Sequence, residues 1–159
     1  MNSHTTVERI SDLELIATRT FKAPARRLFE AWKQPDLIMQ WWAPKSFGIT
    51  FLSCETDVRT GGGYRYVFSH PDLEQPMAFF GRYIEIEPPN RIVWTNEEAA
   101  EGSVTTVTFD ETDGQTRVVV HDLYPSKDAL DAAIASGGTG AWPEQFDELA
   151  GLLSALDSE

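Results

Sequence analysis

Between residues 47 and 123 the apolar side chains of this chain recur every second residue, and only short breaks separate the runs. Phe47–Val58, Tyr64–Ser69, Met77–Ile86, Arg91–Thr95, Val104–Asp110 and Thr116–Leu123 each read as a strand. Their separators are turn chemistry: Thr60-Gly61-Gly62-Gly63, His70-Pro71-Asp72, Glu87-Pro88-Pro89-Asn90 and Thr112-Asp113-Gly114. Parallel neighbours need a crossover of about a dozen residues or more, usually a helix. These connections leave no room for one, so consecutive strands must pair antiparallel.

The flanks have a different period. Leu13 to Phe21 alternates weakly and predicts a first strand, giving seven in all. Pro24 then sits where a first helical turn tolerates proline, and Ala25, Leu28, Phe29 and Trp32 follow at helical spacing. That predicts a helix over 24–33, and Leu37 to Trp42 predicts a second short one ended by Ala43-Pro44. After Pro125, Ser126 can cap a helix carrying Leu130 and Ile134 that stops at Gly137-Gly138. Trp142, Phe146, Leu149, Leu153 and Leu156 then mark one apolar stripe of a longer C-terminal helix. Runs of strands with helices set apart from them define an α+β fold, with helices on one face of an antiparallel sheet. A twisted sheet of seven strands curls, and one amphipathic helix cannot fill the hollow, so an internal cavity is expected.

At 159 residues the chain suits one domain, which we place at 13–156 behind a polar, mobile tail over 1–12. No apolar run approaches the ~18 residues of a membrane span, and the N-terminus lacks a basic-then-apolar signal pattern. The single cysteine, Cys54, precludes an internal disulfide and suits a reducing compartment, so the expected location is cytoplasmic. Charge is unevenly spread. Residues 1–96 carry 11 acidic and 11 basic side chains; residues 97–159 carry 14 acidic side chains against Arg117 and Lys127 alone. The net charge of −12 therefore lies wholly in the C-terminal part. Such a chain is a poor partner for nucleic acid, which needs Lys and Arg against phosphate, or for an anionic membrane. A solvated acidic face is its simplest meaning.

Few residues suggest catalysis. His4, His70 and His121 have no metal-ligand spacing, and one cysteine cannot build a thiolate site. No metal or other cofactor is called for. The triple glycine at 61–63 precedes a strand rather than a helix and reads as a hairpin turn, not a phosphate loop. Cys54, with no base beside it, reads as a structural thiol. His121 alternates with Val119 and Leu123 and is placed at the interior; Glu85 shares a parity with Phe79, Gly81 and Tyr83. Both compete with plain structural roles. Aromatic residues make up 11% of the chain, and many share a strand face: Tyr64, Tyr66 and Phe68 on one strand, Phe79 and Tyr83 on the next. Core packing alone would use them. The alternative is a small-molecule cavity walled by Phe51, Tyr64, Tyr66, Phe68, Phe79, Tyr83, Trp94, His121, Trp142 and Phe146.

Several stretches together resemble one family. They are Phe29-Glu30-Ala31-Trp32-Lys33-Gln34-Pro35 with Trp41-Trp42-Ala43-Pro44, then Asp57 to Tyr66 around the triple glycine. Gly81 to Ile86, Pro88 to Thr95 and the stripe from Trp142 to Leu153 complete the set. The combination is similar to the bacterial branch of the START-like (polyketide cyclase/dehydrase and lipid-transport) superfamily named for homology to the heat-shock protein 90 ATPase activator. The resemblance implies a helix-grip fold, a curved sheet gripping the C-terminal helix around a hydrophobic cavity. It implies no single function, since one fold serves many. Three readings follow: a binder of a small hydrophobic or aromatic ligand, a cyclase- or hydratase-type enzyme using His121 or Glu85, and a chaperone-associated interaction protein. The first is preferred because no catalytic set is recognisable. A homodimer is compatible with each.

Overall fold

The computed structural model describes residues 5–43, 48–97, 102–135 and 142–157. Its strands are β1 (Thr6–Arg9), β2 (Glu14–Phe21), β3 (Thr50–Thr56), β4 (Gly63–Ser69), β5 (Met77–Glu87), β6 (Arg91–Thr95), β7 (Val104–Thr112) and β8 (Gln115–Leu123). The helices are α1 (Ala25–Lys33), α2 (Pro35–Trp41), α3 (Lys127–Ala135) and α4 (Trp142–Asp157). His4, Pro44, the acidic stretch at 98–101 and the Gly137-Gly138 stop lie outside the described residues.

All eight strands form one antiparallel sheet in the order β1-β2-β8-β7-β6-β5-β4-β3. The fold is the α+β helix-grip arrangement, with eight strands where the sequence suggests seven. The additional strand, β1, lies in the polar N-terminal stretch. It pairs from Thr6 opposite Thr18 to Arg9 opposite Leu15, and it is mostly exposed. An edge strand held by backbone hydrogen bonds leaves little apolar alternation to read. Arg9 also reaches Asp131 of α3 at 2.6 Å, which ties this edge to the body.

The sheet curls at β5. Met77 to Arg82 pair with β4, whereas Tyr83 to Glu87 pair with β6, and a bulge between Tyr83 and Glu85 interrupts the β5–β6 register. Gly81 permits the bend. A Cβ there would lie 1.8 Å from the Thr95 carbonyl oxygen, so only glycine lets β6 approach this closely. At the β7–β8 hairpin, Asp113 and Gly114 both adopt positive φ, 55° and 78°. That is the backbone a two-residue turn needs to match strand twist.

The core lies between the sheet and three of the helices. α1 buries Ala25, Leu28, Phe29, Ala31 and Trp32, and its first amide, Ala25 N–H, donates to Glu111 Oε1 of β7 at 2.7 Å. The carboxylate thus occupies the positive end of the helix. α2 follows at once because Pro35 cannot extend α1 but suits a first turn. Trp41 is buried and donates its indole N–H to the Ala31 carbonyl at 3.0 Å. Phe146 of α4 is fully buried, edge-on to Phe21 of β2 at 5.5 Å and to Trp32 of α1 at 6.2 Å. Arg19 of β2 pairs with Asp147 at 2.5 Å and holds α4 from its outer side.

Because the Gly81–Thr95 approach sets the bend, Gly81→Ala should destabilise the protein by roughly 2 kcal/mol or more, the range of an overpacked site. Urea denaturation at neutral pH measures this, and a loss under about 0.5 kcal/mol would show that the two strands can separate freely.

Candidate functional site

The curled sheet and the helices line a half-open cavity of about 380 Å³. Its floor follows from strand register. Tyr83 pairs with Trp94, Trp94 with Thr105, and Thr105 with Asp122, so these four side chains form one row across β5, β6, β7 and β8 on the concave face. Tyr64 and Tyr66 of β4 and Phe79 of β5 continue the apolar wall. The roof comes from Trp32, Trp41 and Trp42 of the α1–α2 region and from Trp142 and Gln145 of α4. Gln145 donates to the Trp42 carbonyl at 2.5 Å, which joins the two halves of the roof. Tyr64 stacks against Tyr66 and Tyr83 with ring centroids 5.2 and 5.7 Å apart.

One corner is polar. Asn96 donates to the Ser103 carbonyl and hydroxyl and to Thr105 Oγ1 at 2.9–3.1 Å, while its carbonyl accepts from Trp94 Nε1 and Tyr64 OH, both at 3.3 Å. Thr105 in turn donates to Asp122 Oδ1 at 2.5 Å. Asp122 is only 8% exposed, and burial raises its carboxyl from the ordinary 3.8 to about 6, against the opposing pull of the Thr105 hydrogen bond and of His121. Burial also raises the hydroxyls of Tyr66 and Tyr83 above the usual phenol range, which keeps both neutral. Asp122 is therefore the one lining side chain among the described residues that titrates as an acid near neutrality. Cys54 is half-buried, its thiol pushed up to about 11 chiefly by burial, as expected of a structural cysteine. No group of three or more metal-ligating side chains occurs among the described residues.

Of the sequence-derived candidates, Tyr64, Tyr66, Phe79, Tyr83, Trp94 and Trp142 line the cavity. Phe51 and Phe68 do not. They pair across β3 and β4 and pack behind Trp42, with centroids 5.6 and 5.8 Å from it. Phe146 belongs to the closed core. His121 is misplaced by one residue of parity: β8 turns Thr116, Val118, Val120 and Asp122 inward. His121 faces outward and meets Glu14 Oε1 at 2.8 Å. Glu85 also leaves the cavity, because the bulge at Ile84 turns it to the opposite face, where Arg91 lies 3.8 Å away. The lining residues that sequence reasoning missed are Asp122, Thr105, Asn96, Ser103, Tyr124, Gln145, Ile49, Trp32, Trp41 and Trp42. The signal for Asp122 was its register opposite Thr105, itself opposite Trp94, obscured by the Val118-Val119-Val120 run that fits either parity.

An antiparallel sheet gripping a C-terminal helix over an aromatic cavity is the architecture of the START-like superfamily. Within it, the chain belongs to the family of Activator of Hsp90 ATPase homolog 1-like proteins, which matches it over residues 22–154. A crystal structure of a Rhodobacter sphaeroides protein shares 25% identity, 96% of this chain and 99% of that one, with a TM-score of 0.86. A Mycobacterium smegmatis protein shares 25% identity over 96% of this chain and 99% of that one, at 0.79. An AHSA1-like protein from Aeromonas hydrophila, at 20% identity, 91% and 95% coverage and a TM-score of 0.69, shares the fold. None of the curated proteins matches the chain.

Two outcomes are expected. Phe146→Ala should cost about 3–5 kcal/mol, the loss of a closed-core aromatic, whereas Trp142→Ala, on the cavity wall, should cost about half as much by chemical denaturation. Equal losses would mean that the space beside Trp142 is as tightly filled as the core. For Asp122 the folded carboxyl holds its proton more tightly than the unfolded one, so stability falls as pH rises from about 4 to about 6 and levels off above. The shift from 3.8 to about 6 corresponds to roughly 3 kcal/mol at about 1.4 kcal/mol per unit. Asp122→Asn mimics the protonated side chain, so its stability relative to wild type should rise by about 1–3 kcal/mol between pH 4.5 and pH 7.5. A difference that does not change with pH would show that the carboxyl titrates normally.

Proposed function

We propose that this protein binds a small hydrophobic or aromatic-ring ligand in the cavity between the curved sheet and α4. The observation that carries the reading is the lining: tyrosine and tryptophan faces around about 380 Å³, with polar groups gathered in one corner. Ligand sites typically enclose roughly 300–1,000 Å³ of mainly apolar wall with a few polar groups that fix orientation. The domain takes residues 13–156 together with β1, and no helix of the described residues is long and apolar enough to cross a membrane. With the charge balance of the chain, this favours a cytoplasmic carrier or sensor that uses neither nucleic acid nor membrane, as a monomer or a homodimer.

An enzymatic reading of cyclase or hydratase type survives in altered form. His121 and Glu85 no longer support it, but a cavity carboxyl with a value near 6 has the range of a general acid or base. What favours binding is that the Thr105 hydroxyl beside Asp122 is itself held by Asn96, and no second carboxyl is found among the described lining residues.

The neutral dye N-phenyl-1-naphthylamine tests the reading. Its fluorescence should rise on micromolar binding, and Ser103→Phe, which puts a ring into the polar corner, should weaken binding at least tenfold while the far-UV spectrum stays unchanged. Dye binding unaffected by Ser103→Phe would place the dye elsewhere and remove the support for this cavity.

A further inference from the structure

We infer that the ligand of this cavity is an organic cation, an apolar ring body bearing a protonated amine whose nitrogen pairs with the Asp122 carboxylate while the aromatic walls take the rest. The inference rests on the cavity being the binding site and adds the ligand's charge.

Three observations lead to it. Asp122 is more than nine-tenths buried, and among the described residues its carboxyl has one hydrogen-bond donor, Thr105. No Lys or Arg is found among the described lining residues, so none of these supplies a counter-ion to the acid. Above pH 6 that acid is ionised, an unpaired charge in an apolar hollow, which is unfavourable unless a bound cation completes it.

The walls suit the same ligand. Tyr64, Tyr83, Trp94 and Trp142 present electron-rich rings, and tryptophan and tyrosine faces attract ammonium groups, most strongly when water is excluded. An anionic ligand would meet Asp122 as a like charge, and a neutral one would leave it unpaired. The long-range field agrees, since the whole net charge of −12 lies in residues 97–159, the part that contributes Thr105, Asp122 and Trp142. That field draws cations and repels anions.

Asp122 is the group that makes binding depend on pH. Among the described residues the other titratable groups facing the space are the hydroxyls of Tyr64, Tyr66, Tyr83 and Tyr124. On either side of Asp122, β7 offers Thr105 and β2 offers Leu15. The adjacent His121 is on the outer face with Glu14.

A matched trio provides the test: 2-(1-naphthyl)ethylamine, the neutral 2-(1-naphthyl)ethanol and anionic 1-naphthylacetate, titrated by calorimetry at pH 7.5. The amine should bind at least tenfold more tightly than the alcohol, and the acid most weakly. Asp122→Asn should abolish the preference of amine over alcohol while retaining alcohol binding, which shows that the variant is folded. Lowering the pH to 5 should weaken amine binding about tenfold, as the ionised fraction falls, and should do so equally in His121→Asn. If the alcohol or the acid binds as well as the amine, or the preference survives Asp122→Asn, the inference is overturned and the cavity reading stands. If none of the three binds, the cavity reading itself fails.

Discussion

The contact of Phe146 with Phe21 and Trp32 decides where this fold is solid and where it is hollow. Phe21 stands opposite Thr116 at one end of the β2–β8 pair, and Asp122 stands opposite Leu15 at the other. α4 is pinned over the first end by Phe146, with Trp32 and Phe109 filling the space beneath. At the second end the curl at Gly81 carries the strands away, and Trp142 and Gln145 of α4 line the hollow without filling it. The cavity is what remains when a curved sheet is closed by α1, α2 and α4 with their tightest packing at one end. Trp32 and Trp142 stand at the boundary, each touching Phe146 and each also lining the hollow.

The polar groups are arranged with the same economy. Asn96 is saturated on both sides: its amide donates to Ser103 and Thr105, and its carbonyl accepts from Trp94 and Tyr64. It fixes the orientation of the rings as well as of Thr105, whose hydroxyl is thereby directed to Asp122. The chain of hydrogen bonds ends at the carboxyl, a charge that no Lys or Arg among the described lining residues balances. A rigid aromatic wall next to a fixed acid is a preorganised site, and preorganisation lowers the entropy lost on binding.

Much of the fold was legible because local rules and burial agreed. Turn chemistry marked the strand breaks, Pro24 marked the start of the first helix, and the stripe through Phe146 and Leu149 marked the face of α4. β1 was hidden because its stability lies in main-chain pairing rather than in apolar alternation. The site was half legible: the tyrosines of β4 and β5 kept their parity, whereas β8 and the end of β5 did not. On β8 the inward positions include Thr116 and Asp122, polar residues satisfied by the Ala23 carbonyl and by Thr105. Alternation with the apolar Val119 and Leu123 therefore placed His121 inside and lost the acid. On β5 a single inserted residue, Ile84, turned Glu85 away, and no feature of the local sequence marks a bulge there.

The most direct measurement is the titration of the Asp122 side-chain carboxyl by carbon-13 NMR, in the free protein and with 2-(1-naphthyl)ethylamine bound. A buried, unpaired acid should titrate near 6 in the free protein and fall below about 4 when an ammonium completes the pair. A value already near 4 in the free protein, unchanged by the amine, would mean that the carboxyl is solvated and would contradict the account.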